Sequence, residues 1–206
     1  MTSNIDDEFR KEGYVYIVGI DEAGRGPLAG PVVACAVVLP PKYTNPLIDD
    51  SKKLSKKLRE QLVKEIKKEA LAVAIATIDA PEIDAINIYQ ASKKAMEIAL
   101  SNINIDYDIV LTDAMPLDTT AKVEPLIKGD ARSLSIAAAS IVAKVYRDEL
   151  MDELDKKYPN YGFKSHKGYA TKKHLAALRT YGPIKGVHRY SYKPVSNANF
   201  EQLKLF

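Results

Sequence analysis

With 206 residues, 46% hydrophobic and 28% charged, the chain is long enough to bury a full core and has the make-up of an ordinary globular protein, which excludes disordered and fibrous classes. The apolar run 31–39 is far shorter than the roughly 20 residues that span a bilayer, and a lone cysteine, Cys35, excludes an internal disulfide framework. The acidic opening, with Asp6 and Asp7, lacks the basic-then-apolar pattern of a leader, so a cytoplasmic protein without a membrane partner is expected; a monomer is expected as well. Net charge is only +3, but lysine and arginine crowd residues 52–68 and 164–193, the latter interleaved with tyrosines. One such run suits a solvated helix face; two that bracket a set of acids suit a polyanion.

Taken in chain order, the β-branched and aromatic run 14–20 predicts a buried strand. Glycines 24, 26 and 30 with Pro27 then break the chain into a tight loop, and 32–39 reads as a second strand stopped by Pro40 and Pro41. From Ser55, placed to cap, Leu58, Leu62, Val63 and Ile66 recur at helical spacing. A strand over 71–78 precedes a helix over about 88–100, which has Ala91, Ala95, Met96 and Ala99 on one face. Short strands follow at 108–112 and 123–127. The strongest helix runs over 133–158 with a small-residue face, and a last one spans about 171–181 before Gly182-Pro183. Two early strands followed by alternating units imply an α/β layer with a mixed sheet.

The chemistry is carried by acids. Asp21, Asp113 and Asp130 each follow a strand-like segment and open a turn, where ligands of open α/β sheets gather. Taken singly, Asp113 reads as a turn cap and Asp130 as a first-turn helix acid. Asp21-Glu22 resists that reading, because adjacent acids closing an apolar strand are costly unless something compensates them. Neighbouring strand side chains point to opposite faces, so Glu22 joins Asp21 in one site only if the strand ends there, as Gly24 and Gly26 would permit. Four converging acids call for cations. Oxygen-only ligands favour two hard ions, Mg2+ or Mn2+, of the kind that clamp a phosphodiester, whereas His166, His174 and His188 lack zinc-site company. Gly24-Arg25-Gly26 suits close approach to a sugar-phosphate chain.

These residues resemble a known family. The run from Ile20 through Asp21-Glu22-Ala23-Gly24-Arg25-Gly26-Pro27 to Ala34 looks like the signature of ribonuclease HII, the type 2 ribonuclease H family. Asp50-Ser51-Lys52-Lys53-Leu54-Ser55, Leu111-Thr112-Asp113, Lys128-Gly129-Asp130, the block 135–148 and His166-Lys167-Gly168-Tyr169 resemble its further blocks in order. Ala114-Met115 after the third acid is less typical. The resemblance implies a ribonuclease H-like fold, a mixed five-stranded sheet flanked by helices, with a helical C-terminal extension over about 150–195 and a tail over 196–206, all in one catalytic domain. It implies endonucleolytic cleavage of RNA in RNA–DNA hybrids and at single ribonucleotides in duplex DNA, with 5′-phosphate and 3′-hydroxyl products. Asp21, Glu22, Asp113 and Asp130 would be the catalytic metal ligands. Gly24, Arg25 and Gly26 would read the 2′-hydroxyl, Tyr169 would stack on the adjacent deoxyribose, and Ser51, Lys52 and Lys144 would touch the backbone.

The closing Gln202-Leu203-Lys204-Leu205-Phe206 reads as a terminal strand or frayed end. It also resembles the pattern with which bacterial proteins dock on the replication sliding clamp, through Gln202, Leu203, Leu205 and Phe206. Competing readings are another nuclease of the same fold (a resolvase or a hybrid-only ribonuclease H), a non-catalytic hybrid-binding protein, and a glycosidase using Asp21 and Glu22. The absence of tryptophan speaks against the last.

Overall fold

The computed structural model describes residues 4–48, 51 and 54–203, the last five by their backbone. Its centre is a five-stranded sheet in the order β3-β2-β1-β4-β5, made of β1 (Ile17–Ala23), β2 (Val32–Val38), β3 (Ala72–Ile78), β4 (Ile109–Asp113) and β5 (Val123–Leu126). The first three strands form an antiparallel meander, and β4 and β5 add in parallel beside β1. This is the mixed sheet expected. The strand boundaries shift by a residue or a few, chiefly because 14–16 lie outside β1.

The two faces are covered by different kinds of helix. Helix α4 (Ile88–Ser101) lays Ala91, Ala95, Met96 and Ala99 on Val18, Ile20, Ala34 and Ala36. On the opposite face α6 (Leu134–Lys157) presses Ala137, Ala138, Ala139 and Ala143 against Val33, Cys35 and Val37, with α2 (Lys56–Glu69) alongside. The anticipated cap Ser55 accepts a hydrogen bond from an amide in the first turn of α2, and Ser133 and Thr171 do the same for α6 and α8 (Lys172–Tyr181).

Small side chains let α6 come close, and at Gly19 nothing separates helix from strand. A Cβ there would lie 2.1 Å from the Ser135 carbonyl carbon. From that contact, five residues along the helix rise about 7.5 Å and two along the strand about 6.6 Å. Ser140 therefore arrives beside Asp21.

Several elements are not legible from periodicity. Helix α1 (Ile5–Lys11) buries Asp6, whose carboxylate accepts from the Ser133 and Ser135 hydroxyls and the Ser135 amide at the start of α6. Short helices α3 (Ala80–Ile86), α5 (Gly129–Arg132) and α7 (Phe163–His166) serve as connectors. The tail expected from residue 196 is instead helical, as part of α9 (Lys193–Leu203). Of the segment 202–206 read as a terminal strand or frayed end, 202–203 close this helix. Leu205 and Phe206 lie outside the described residues, as do the side chains of Gln202 and Leu203.

Among the described residues no helix is long and apolar enough to cross a membrane. The C-terminal helices enclose a second core of Met151, Tyr161, Phe163, Ala177 and Val187 around Ala29, and a third of Leu178, Val195 and Ala198 around Leu28. They hold the 24–31 loop from below. Leu28 N–H donates to the Gly168 carbonyl, Gly30 N–H to that of Val187, and Arg189 N–H to that of Leu28.

Candidate active site

Strand register brings the first two acids together. The last β1–β4 pair is Ile20 with Thr112, so Asp21 and Asp113 follow side by side on adjacent parallel strands, where β4 ends. Ala114 then turns the chain away in a left-handed conformation (φ 55°) and donates its N–H to Leu126. Asp113 Oδ1 accepts the Gly129 N–H at 2.8 Å, which brings the start of α5, and with it Asp130, to the same place. One carboxylate oxygen from each of Asp21, Asp113 and Asp130 lies within 4.8 Å of the others. The turn-capping reading of Asp113 and the first-turn reading of Asp130 hold as well, since Asp113 accepts the Gly129 N–H and Asp130 lies in the first turn of α5.

Glu22 reaches the site by a route other than the one anticipated. The strand does not end at Asp21; it continues to Ala23, with Glu22 paired to Ala34 on β2. However, β4 stops at Asp113, so no β4 residue flanks Glu22, and around this open edge its carboxylate lines the same cavity as Asp21 and Asp113. It stands outside the three-oxygen cluster. Its Oε1 takes a 3.3 Å ion pair from Arg25, and its Oε2 is buried without a hydrogen-bond partner.

Burial raises the Asp21 carboxyl well above its usual pKa; the Glu22 charge adds to this, Ser140 opposes it through a hydrogen bond, and Asp113 raises it further. Glu22 is raised too, first by burial, with Arg25 pulling the other way. These are carboxylates short of positive charge. An all-oxygen donor set, crowded and partly unsatisfied, fits a hard divalent cation.

The cavity, of about 270 Å³, is lined by these acids, by Gly24, Arg25, Gly26, Ser51, Lys144 and Tyr169, and by Ser140 and Arg147. Every predicted site residue whose side chain is described is thus in it, except Asp130, which joins through the oxygen cluster. Lys52, like Asp50 and Lys53, lies outside the described residues. Ser51 is buried with its Oγ 3.0 Å from Ser140 Oγ, and Lys144 donates to Asp148 one turn on. Tyr169 is 46% exposed, its ring 3.6 Å from where a Cβ of Gly26 would stand.

Its backbone is tied from behind by the three histidines, His166 stacking on His174 and His174 packing against His188. His188 Nδ1 accepts the Ile184 N–H, leaving its Nε2–H to donate to His174 Nε2 at 3.1 Å; His174 Nδ1–H then donates to the Tyr169 carbonyl. Burial lowers His174 to about 4 and His188 to about 3.

Sequence reasoning missed Ser140 and Arg147. Both sit in the small-residue helix, where they read as packing and as solvated charge. Arg147 is 1% exposed, and Arg189, counted above with the basic surface, is fully buried. The surface reading of Arg189 is therefore corrected.

Fold and carboxylate cluster together define a ribonuclease H, a nuclease of the hydrolase class. The ribonuclease H2 of Pyrococcus horikoshii superposes with a TM-score of 0.79 at 25% identity, over 92% of this chain and 99% of that one. The structure of the PCNA:RNase HII complex from Archaeoglobus fulgidus gives 0.71 at 26%, over 92% and 100%. A ribonuclease HII family model matches residues 18–195, and the ribonuclease HII of Shouchella clausii is 52% identical over 190 residues, 92% of this chain and 73% of its own. The chain belongs to the ribonuclease HII family.

Proposed function

We propose that the protein is an endoribonuclease that cleaves RNA in RNA–DNA hybrids and at single ribonucleotides embedded in duplex DNA, leaving 5′-phosphate and 3′-hydroxyl ends. The observation that carries this reading is a shared cavity: Asp21, Glu22 and Asp113 line it together with Gly24, Arg25, Gly26 and Tyr169. Asp21, Glu22, Asp113 and Asp130 would hold two divalent ions, magnesium or manganese. Such ions, when bound, neutralise the carboxylates and stabilise charge developing on the phosphodiester oxygens.

The chain's own groups do the rest. Arg25 and Gly26 are exposed on the loop beside the acids, where their amides and the Arg25 fork can meet a phosphate and a 2′-hydroxyl. Tyr169, half exposed opposite Gly26, offers its ring to a neighbouring sugar. Ser140 holds Asp21 and is itself bonded to Ser51, so the first acid cannot swing out of line. Lys52 and Lys144 would contact the flanking backbone.

The test is cleavage of three duplexes, one all DNA, one with a single ribonucleotide and one a hybrid, with and without magnesium or manganese. Metal-dependent cuts in the second and third, and none in the first, are expected. Cleavage of the hybrid alone would favour a hybrid-only enzyme and overturn the single-ribonucleotide part of the reading.

We also propose cytoplasmic action as a monomer, with the end of the chain docking on a sliding clamp through Gln202, Leu203, Leu205 and Phe206. What supports the docking is the motif itself and the clamp complex of the Archaeoglobus fulgidus relative. Removal of residues 202–206 should abolish clamp binding and leave cleavage intact; unchanged clamp affinity would refute it.

A further inference from the structure

Arg189 is fully buried, and among the described residues it makes no direct ion pair, with Asp84 acting on it only through its field. A guanidinium has five N–H donors, and here all five are matched. Nε donates to the Gly30 carbonyl (3.1 Å) and the Nη2 group to those of Gly24 (2.7 Å) and Gly30 (2.8 Å). The Nη1 group donates to the Arg25 carbonyl (2.9 Å) and to the Tyr192 hydroxyl (3.0 Å). The Tyr192 hydroxyl in turn donates to the same Arg25 carbonyl at 2.6 Å.

Arg147 grips the other side of the loop. It donates to the carbonyls of Pro31 (2.9 Å) and Ala29 (3.1 Å), and with Nη1 to that of Lys167 (3.0 Å), two residues before Tyr169. The loop and the tyrosine turn are therefore held on one side chain. Burying two cations whose direct partners are carbonyls rather than carboxylates is costly, and a fold that only needed a closed loop would not require it.

In a trans peptide the N–H points opposite to the preceding carbonyl. With the Gly24 and Arg25 carbonyls drawn onto Arg189, the amides of Arg25 and Gly26 are turned away from it, and both residues are exposed. We propose that Arg147, Arg189 and Tyr192 are positioning residues for ribonucleotide selectivity: by gripping the carbonyls of the 24–31 loop they keep its amide face turned to the substrate and in fixed relation to Tyr169. This rests on the function proposed above, in which that loop and Tyr169 read the ribonucleotide.

The experiment compares kcat/KM on a duplex with one ribonucleotide and on a long hybrid for the wild type, Arg189→Lys, Arg147→Lys and Tyr192→Phe, each checked by cooperative thermal melting. Lysine keeps the charge and loses the fork. The ratio of the two substrates should fall about tenfold or more in Arg189→Lys and Arg147→Lys, mainly through KM on the single-ribonucleotide duplex. It should fall a fewfold in Tyr192→Phe, which removes one hydroxyl from the Arg25 carbonyl. Guanidinium ion added to Arg189→Ala should restore part of the ratio. Tyr192→Phe keeps the proposal testable if the arginine variants do not fold. A merely structural role would lower both activities in proportion, so an unchanged ratio in the folded variants overturns the proposal. A wild type that ignores the single ribonucleotide would instead overturn the function proposed above.

Discussion

The two walls of the cavity contrast in how they handle buried charge. One wall, where β1 and β4 run side by side, collects carboxylates, among which Asp21 and Glu22 have pKa values raised by burial and by neighbouring acids. The other, beneath the 24–31 loop, collects guanidiniums whose pKa values burial lowers, Arg147 to about 10. Arg25, exposed, crosses over to Glu22 in an ion pair, whereas Arg147 and Arg189 direct their donors to backbone carbonyls. A protein built for stability alone would pair them. Keeping them apart leaves one wall suited to cations and the other to a polyanion, which suits a site that must take both.

The acid wall is broken most severely by Asp21→Asn. Cleavage should fall by about three orders of magnitude or more, near 4 kcal/mol of transition-state stabilisation. Denaturant stability should hold or rise, because a desolvated acid among acids is removed. Steady-state kinetics and urea unfolding of the same preparation check both, and retained activity would remove Asp21 from the mechanism. On the arginine wall, Gly24→Ala should cost on the order of 3 kcal/mol, since its backbone is left-handed (φ 104°) and the new Cβ would lie 2.1 Å from Arg147 Nε. Stability within 0.5 kcal/mol or so of wild type would show that the guanidinium yields easily.

The smallest effect sharpens the contrast through pH. His174 and His188 have folded pKa values depressed below 6.5, so their contribution is full above that value and is lost as pH falls toward about 4 and about 3. The raised Asp21 and Glu22 act with the opposite sign, their contribution growing as pH falls. Between pH 7 and pH 5, urea unfolding should show the wild type losing on the order of 1–2 kcal/mol more than His188→Asn. An equally steep profile in the variant would place its origin elsewhere.

What was legible in the sequence follows from what leaves a periodic trace. The sheet strands, α2, α4, α6 and α8 and their caps follow from hydrophobic spacing and from Ser55, Ser133 and Thr171. The acids stand out because Asp21, Asp113 and Asp130 close apolar runs. Glu22 was placed in the cavity for the wrong reason, since alternation along β1 could not reveal that β4 ends at Asp113. Arg147 and Arg189 were invisible as buried groups, because a charged residue in a polar-rich segment reads as surface until the carbonyls it serves, distant in sequence, are brought to it. Asp6 was hidden likewise, its partners Ser133 and Ser135 lying far along the chain.

Gly19 sets the mechanical character of the site. With backbone resting on backbone, there is no side chain between β1 and α6 to change rotamer or act as a compliant spacer. Strand and helix must therefore move as one stiff body, and Ser140 travels with Asp21. Any methyl added at position 19 would act as a wedge at the pivot and lever the two apart.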